Sequence, residues 1–147
     1  MAWEPSNKRK KINEVEANQS LGMKFPSLSP DGKWIAFSLY GDIWKVPSEG
    51  GKAQRITLNE ADDVKLRWSP DGKWIAFSSD RMGNFDVWMV PSDGGTVKQV
   101  TYHGSWDSMS DWTPDGEWRL IYSYRTVNIE HSKIMLEGGN AVVITKE

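Results

Sequence analysis

The sequence of 147 residues contains no cysteine, which excludes disulfide bonds and thiolate zinc sites. This absence suits both the cytosol and the periplasm, so it does not identify the compartment. No apolar run approaches the roughly 20 residues of a membrane-spanning helix, and the start of the chain lacks the apolar centre of a secretory signal. We therefore expect no membrane partner and no signal peptide, with a cytoplasmic location as written and a periplasmic one after processing.

The chain also has little excess of one charge sign over the other. Its 18 Lys and Arg residues against 20 Asp and Glu residues leave a formal net charge of −2. Without a broad basic field, nucleic acid is not an expected partner. The basic run at residues 7–11 is followed by acidic residues, and it lies in a segment, residues 1–22, that matches no repeat. We interpret this segment as a solvated N-terminal arm that is helical in part, disordered, or placed over an edge of the fold.

The sequence does contain a repeat. The ten letters SPDGKWIAFS occur at residues 29–38 and again at 69–78, and the related TPDGEWRLIY occupies residues 113–122. A period of roughly 40 to 45 residues is typical of one supersecondary unit copied several times. The arm is therefore followed by a predicted three-unit segment, residues 23–147, with units at about 23–61, 62–105 and 106–147.

Each unit has four short apolar, β-branched or aromatic runs separated by turn residues, which is the pattern of an antiparallel meander. In the phrase Pro-Asp-Gly, the proline pre-sets φ for a tight turn, the aspartate caps the backbone, and the glycine takes a positive φ. Four-stranded antiparallel sheets at this period are the blades of a β-propeller. The predicted fold is all-β, with three four-stranded antiparallel blades that make half of a six-bladed ring.

Two of the units resemble the TolB-type, WD40-like propeller repeat, in the stretches FPSLSPDGKWIAFSLYGDIWKVPSEGGKAQRIT and RWSPDGKWIAFSSDRMGNFDVWMVPSDGGTVKQVT. That repeat is found in TolB and in the propellers of tricorn-like and prolyl-oligopeptidase-type peptidases. The third unit departs from it, since Ser132 replaces the tryptophan of Trp44 and Trp88, and His131 replaces an aliphatic residue. The resemblance implies that the nucleophile of the peptidase relatives lies in a separate catalytic domain.

Both broad faces of a blade are predicted to be apolar, because Trp34 and Ala36 point one way along a strand while Ile35 and Phe37 point the other. Seven of the nine tryptophans repeat in register and are predicted core residues. Three blades leave the two end faces bare, at roughly 300 Å² each. Two copies that join end to end bury on the order of 1,200 Å², so we predict a homodimer that closes a six-bladed ring. The alternative is a fragment cut from a longer propeller.

The sequence predicts neither catalytic residues, nor a metal site, nor a cofactor. The two histidines, His103 and His131, have no metal-ligand spacing. Ser105 and Asp107 lie near His103, but the stretch lacks the GxSxG elbow of a hydrolase nucleophile. The hairpin DRMGNFD, residues 80–86, does not follow the calcium-loop pattern. We therefore predict that the chain is not an enzyme.

Propellers usually bind their partners through variable loops at the mouths of the channel. Here the least repetitive loops contain aromatic residues and two arginines at equivalent positions, which are the groups that anchor protein contacts. The arginines have a second interpretation, in which they pin adjacent hairpins through salt bridges. The sequence thus favours a non-catalytic scaffold that binds protein or peptide; the alternatives are a substrate-gating propeller fragment of such a peptidase and a fragment that only self-assembles. The predicted partner-binding residues are Arg81, Tyr102, His103, Trp106 and Arg125.

Overall fold

The computed structural model describes residues 22–124, 129–135 and 140–145, together with the backbone of residues 14–16. Within these residues the chain is all-β and has no helix. The strands form three antiparallel sheets that follow one another along the chain. The predicted fold class is confirmed: each repeat unit folds into a four-stranded meander, as expected of propeller blades.

Blade 1 consists of β2 (Lys24–Leu28), β3 (Trp34–Leu39), β4 (Asp42–Pro47) and β5 (Lys52–Arg55). A short additional strand, β1 (Glu14–Glu16), pairs antiparallel with β5. The sheet order is therefore β1-β5-β4-β3-β2, with five strands rather than four. The extra strand comes from the arm and occupies the edge of the blade opposite β2.

Blades 2 and 3 keep the predicted four strands, in sequential order. Blade 2 contains β6 (Asp63–Trp68), β7 (Trp74–Ser79), β8 (Asp86–Pro91) and β9 (Lys98–Gln99). Blade 3 contains β10 (Asp107–Trp112), β11 (Trp118–Ser123), β12 (Glu130–Met135) and β13 (Val142–Val143). The first strands β2, β6 and β10 lie next to one another, so the blades fan out from a common side.

The Pro-Asp-Gly turns form as the sequence predicts. In the second turn Asp71 accepts a hydrogen bond from the Ser69 hydroxyl at 2.6 Å and one from the backbone N–H of Lys73 at 3.0 Å. Gly72 has φ +72°, a conformation that an L side chain rarely adopts. The other two copies of the turn repeat these contacts, so each Asp ties its hairpin together.

Neighbouring blades pack face to face through two apolar clusters. Between blades 1 and 2, Ala36 and Ile43 lie with Ile75, Phe77 and Trp88. The corresponding cluster between blades 2 and 3 comprises Ala76, Val87, Met89, Val100, Met109, Trp112, Ile121 and Ile134. The alternation predicted from the strand pattern is therefore confirmed, because successive residues of one strand enter different junctions.

Each junction is also held by a tryptophan of the first strand. The Trp68 Nε1 atom donates a hydrogen bond to the Ser27 carbonyl of blade 1 at 2.9 Å. In the same way Trp112 Nε1 donates to the Arg67 carbonyl of blade 2 at 3.2 Å. Leu28 stands at this position in blade 1, so that blade has no such donor for a preceding neighbour.

The end face of blade 1 differs from the expectation of a bare surface. Phe37, Leu39, Trp44 and Val46 form a separate apolar cluster, and each is at most 5% exposed. They occupy the same positions in blade 1 as the blade 2 side chains that pack against blade 1. The prediction that unit one leaves an open apolar face is thus wrong for the single chain.

Blade 3 contains a buried charge at the junction with blade 2. Arg119 occupies the position of Ile35 and Ile75 and is fully buried. Its guanidinium lies 5.4 Å from the Trp112 ring and donates hydrogen bonds to the Met135 carbonyl and to a methionine sulfur. Its Nε atom has no hydrogen-bond partner among the described residues. Burial lowers the pKa of Arg119 to about 10 because the charged form loses hydration.

Candidate functional site

The meander places the irregular segments of all three blades at one end, which we call the loop end. It carries the loops between the second and third strands, which begin after residues 39, 79 and 123, and the connections between blades, residues 56–62 and 100–106. The opposite turn end carries the Pro-Asp-Gly and Gly-Gly turns. The variable residues of the sequence therefore share one side of the molecule.

A buried threonine fixes each connection at the loop end. Thr57 Oγ1 accepts a hydrogen bond from the Ile43 backbone N–H at 2.8 Å and donates one to Asp63 Oδ2 at 2.8 Å. Thr101 Oγ1 likewise accepts from the backbone N–H of Val87 at 2.9 Å. The Thr57 bonds join the end of blade 1 to the start of blade 2, whereas Thr101 ties its connection to β8 of blade 2. Both connections therefore have defined positions.

Arg81 belongs to this internal framework. Its Nη2 atom lies 2.8 Å from Asp63 Oδ1, and its Nε atom donates to the Ser79 hydroxyl at 3.0 Å. The guanidinium also lies 4.8 Å from the centre of the Trp88 ring, and the side chain is 16% exposed. These contacts favour the salt-bridge interpretation of Arg81. Its predicted counterpart, Arg125, lies outside the described residues.

The exposed part of the connection between blades 2 and 3, residues 102–106, is here called the aromatic connection. Tyr102 is 74% exposed, and its hydroxyl donates to the Gln99 carbonyl at 3.0 Å. Trp106 is 58% exposed. His103 is exposed, and its Nδ1 atom accepts a hydrogen bond from the Ser105 backbone N–H at 3.2 Å. Three of the five predicted residues therefore lie in one exposed segment, whereas the Arg81 side chain is engaged in contacts within blade 2.

Both neighbouring blades hold the aromatic connection in place. Asn84 of the blade 2 hairpin donates to the Ser105 carbonyl at 3.2 Å. The Phe85 ring meets the Trp106 ring edge-on, at 5.7 Å between centroids. From blade 3, the Tyr124 backbone N–H donates to the Trp106 carbonyl at 3.0 Å. The exposed aromatic side chains are thus presented by a braced loop.

The sequence did not single out Asn84, Phe85 or Tyr124 as parts of this surface. The available signal was the longer hairpin of unit two, which has fourteen steps from Trp74 to Trp88 where unit one has ten. The extra residues reach the aromatic connection and include Met82, which is 67% exposed. A loop length alone does not reveal which neighbouring segment the loop contacts.

The turn end holds a cavity at each junction, of about 390 Å³ between blades 2 and 3 and about 450 Å³ between blades 1 and 2. Tryptophans and turn aspartates line both. Hydrogen bonds from Ser69 and from a backbone N–H lower the pKa of the Asp71 carboxyl, which lines both cavities. Because the turn itself uses these carboxylates, we assign them to hairpin formation.

Among residues 22–124, 129–135 and 140–145, no group of three His, Asp or Glu side chains is arranged to hold a metal ion. His103 and Ser105 meet through ring nitrogen and backbone, which is not the nucleophile-to-base contact of a hydrolase. The described part of the chain also contains no helix with the length and hydropathy required to cross a membrane.

A family model described as the tricorn protease N-terminal β-propeller domain matches residues 37–142. The chain belongs to this family. The match extends over all three blades, so the tricorn-type repeat includes blade 3 despite its departures at His131 and Ser132. A search of curated proteins finds no match.

Solved structures agree with the tricorn-type propeller. A protein described as TolB from Agrobacterium tumefaciens superposes with a TM-score of 0.77 at 26% identity, over 86% of this chain and 50% of that one. TolB from Acinetobacter baumannii gives a TM-score of 0.72 at 26% identity, over 83% and 32% of the two chains. The tricorn protease gives 0.68 at 22% identity, over 83% and 13%, which shows the shared fold. The chain therefore spans half or less of these proteins.

Proposed function

We propose that this propeller domain is a non-catalytic scaffold that binds protein or peptide through its loop end, and that it completes its ring by association with a second copy. The observation that carries the proposal is the braced aromatic connection, with Tyr102 74% and Trp106 58% exposed. Large aromatic side chains in defined positions are the usual anchors of protein contacts.

Rigidity supports this role of the aromatic connection. Asn84, Phe85 and Tyr124 hold the segment from both sides, so little conformational entropy is lost when a partner binds. Further exposed apolar side chains lie on neighbouring loops, since Met82 is 67% and Ile129 54% exposed. Together they provide apolar anchors beside backbone and amide groups, which suits an extended peptide or a protein loop.

The binding proposal is tested by selecting peptides from a displayed random library on the wild-type chain and measuring their affinity by calorimetry. We expect Trp106→Ala and Tyr102→Ala to weaken binding at least about tenfold. The matched control is Leu58→Ala, because Leu58 is 59% exposed in the other connection at the loop end. Equal affinity of all three variants would show that the aromatic connection is not the binding surface.

Self-association is supported by the propeller architecture, in which each internal blade is covered on both faces. Sedimentation velocity or size-exclusion chromatography with light scattering measures the mass of the intact chain directly. We expect a dimer at micromolar concentration. A stable monomer there would refute ring closure by two copies and leave the loop-end proposal to its own test.

A substrate-gating propeller fragment of a tricorn-like peptidase is the second candidate. The match to the tricorn propeller family favours it, as does the limited share of each related structure that this chain spans. A peptidase catalytic domain encoded in the same reading frame would support this candidate. A reading frame that encodes the propeller alone would support the scaffold.

A further inference from the structure

A salt bridge crosses the junction between blades 1 and 2. Lys45 of β4 projects from blade 1, where its Nζ atom lies 4.6 Å from the centre of the Trp34 ring. The same atom lies 2.7 Å from Asp93 Oδ1, in the Gly-Gly turn of blade 2. The lysine side chain is 5% exposed, and the pair lowers the pKa of the Asp93 carboxyl.

The two end blades of the three-blade arc each carry one member of an equivalent pair. Lys133 of β12 is the counterpart of Lys45, since both pair with the middle strand at the same register, opposite Leu120 and Ala36. Its Nζ atom lies 4.2 Å from the Trp118 ring, as Lys45 lies over Trp34.

The carboxylate half lies on blade 1. Glu49 is exposed in the turn PSEGG and is the counterpart of Asp93 in PSDGG. Between blades 2 and 3 the lysine position is held by Met89, so that junction does not repeat the salt bridge. Lys133 and Glu49 are thus the remaining complementary pair, and they lie on opposite end blades.

We propose that the outer face of blade 3 docks on blade 1 of a second copy in the register of the internal junctions, so that Lys133 of one copy pairs with Glu49 of the other. The inference rests on the self-association proposed above and specifies its geometry. A two-fold dimer forms this contact twice, once at each junction of the six-bladed ring.

The apolar part of the two faces fits the same register. Ile35, Phe37 and Trp44 of blade 1 repeat the residues with which blade 2 receives blade 1. On blade 3, Leu120 and Tyr122 stand where blade 1 has the smaller Ala36 and Ser38, which adds apolar surface to the docking face.

Two differences affect the strength of this junction. Leu28 replaces the tryptophan that donates a hydrogen bond across the internal junctions. Phe37 and Trp44 of the blade 1 face are at most 2% exposed in the single chain, so docking must first uncover them. Both differences predict that the junction between two copies is weaker than the junctions within one chain. The ion pair therefore contributes a larger share of the binding free energy.

The test is a charge swap on the intact chain, with dimer dissociation constants from sedimentation at several concentrations. We expect Lys133→Glu and Glu49→Lys each to weaken the dimer about tenfold or more, because each places like charges at both junctions. The double variant restores opposite charges and should recover to within about threefold of wild type. Lys73→Glu is the matched control, because it makes the same charge change on an exposed turn of blade 2.

The outcomes separate the two proposals. A wild-type dimer that is weakened by both single reversals and restored by the double variant supports the register. If the dimer forms but the single variants behave like Lys73→Glu, the register is wrong and self-association stands. A wild-type chain that stays monomeric overturns both. Glu49→Lys lies on an exposed turn, so it remains informative if Lys133→Glu does not fold.

Discussion

Replacing Arg119 by isoleucine and Ser132 by tryptophan restores, in blade 3, the residues that blades 1 and 2 carry at these positions. Arg119 is fully buried, and no carboxylate pairs with it among the described residues. Its pKa of about 10, well below the ordinary value of an arginine, corresponds to about 3 kcal/mol of lost hydration at ~1.4 kcal/mol per tenfold change. This penalty is present at every pH below about 10 and is relieved as the pH rises above that value.

Part of the penalty is offset by contacts that isoleucine cannot make. The guanidinium lies over the Trp112 ring and bonds to the Met135 carbonyl, and together these are worth about 1–2 kcal/mol. We expect the tryptophan of Ser132→Trp to fill the space that the shorter isoleucine leaves. We therefore expect the double variant to be more stable by about 1–3 kcal/mol, which corresponds to a rise in Tm of about 3–8 °C for a domain of this size.

Thermal unfolding at pH 7, followed by far-ultraviolet circular dichroism, measures the effect. The matched control is Ile75→Arg, which places an arginine at the equivalent position of blade 2 and should lower Tm. Ser132→Trp alone should also be destabilising, because tryptophan and Arg119 then compete for the same space. If the double variant melts below wild type and Ile75→Arg leaves Tm unchanged, the buried arginine does not destabilise the junction.

Three further predictions concern the framework of the blades. Arg81→Ala should reduce the free energy of unfolding by about 2–3 kcal/mol, because it leaves the buried Asp63 carboxylate without its cation. Urea denaturation measures this free energy, and an unchanged midpoint would contradict the prediction. Hydrogen bonds lower the pKa of Asp71, so the contribution of this carboxylate to stability is present above pH ~4 and is lost as the pH falls further. The difference in Tm between wild type and Asp71→Ala should therefore shrink from pH 7 to pH 3. A constant difference would refute the assignment of Asp71 to hairpin formation. Deletion of residues 1–20 removes β1 and leaves the edge of β5 unpaired; we expect a lower Tm and more aggregation in sedimentation, and identical behaviour would show that β1 contributes nothing to blade 1.

The repeat in the sequence was sufficient to predict the blades. Turn geometry is local: in the phrase Ser69 to Gly72 the proline, the aspartate and the glycine each act on their own or the next peptide unit, so the hairpin follows from the letters. The alternation of Ile35 and Phe37 with Ala36 likewise determines which face a side chain joins. These are properties of one strand and its immediate neighbour.

The loop end required the tertiary structure. The Arg81 guanidinium reaches Asp63, 18 residues away, and Asn84 reaches the Ser105 carbonyl, 21 residues away. Such contacts depend on how the hairpin of blade 2 folds against the first strand of that blade and the connection after it, and no local pattern encodes that arrangement. The sequence could therefore identify the aromatic connection as unusual, but it could not separate its exposed side chains from an arginine already engaged in a salt bridge.

The sequence by itself determined the strands, the turns and the apolar character of both blade faces, because these follow from short-range sterics and from the two-residue period of a strand. The tertiary structure decided which of those faces are covered: the face of blade 1 is buried, β1 extends its sheet, and Lys45 meets Asp93 across 48 residues. Burial and charge pairing depend on which segments meet in space, and that is a property of the assembled chain.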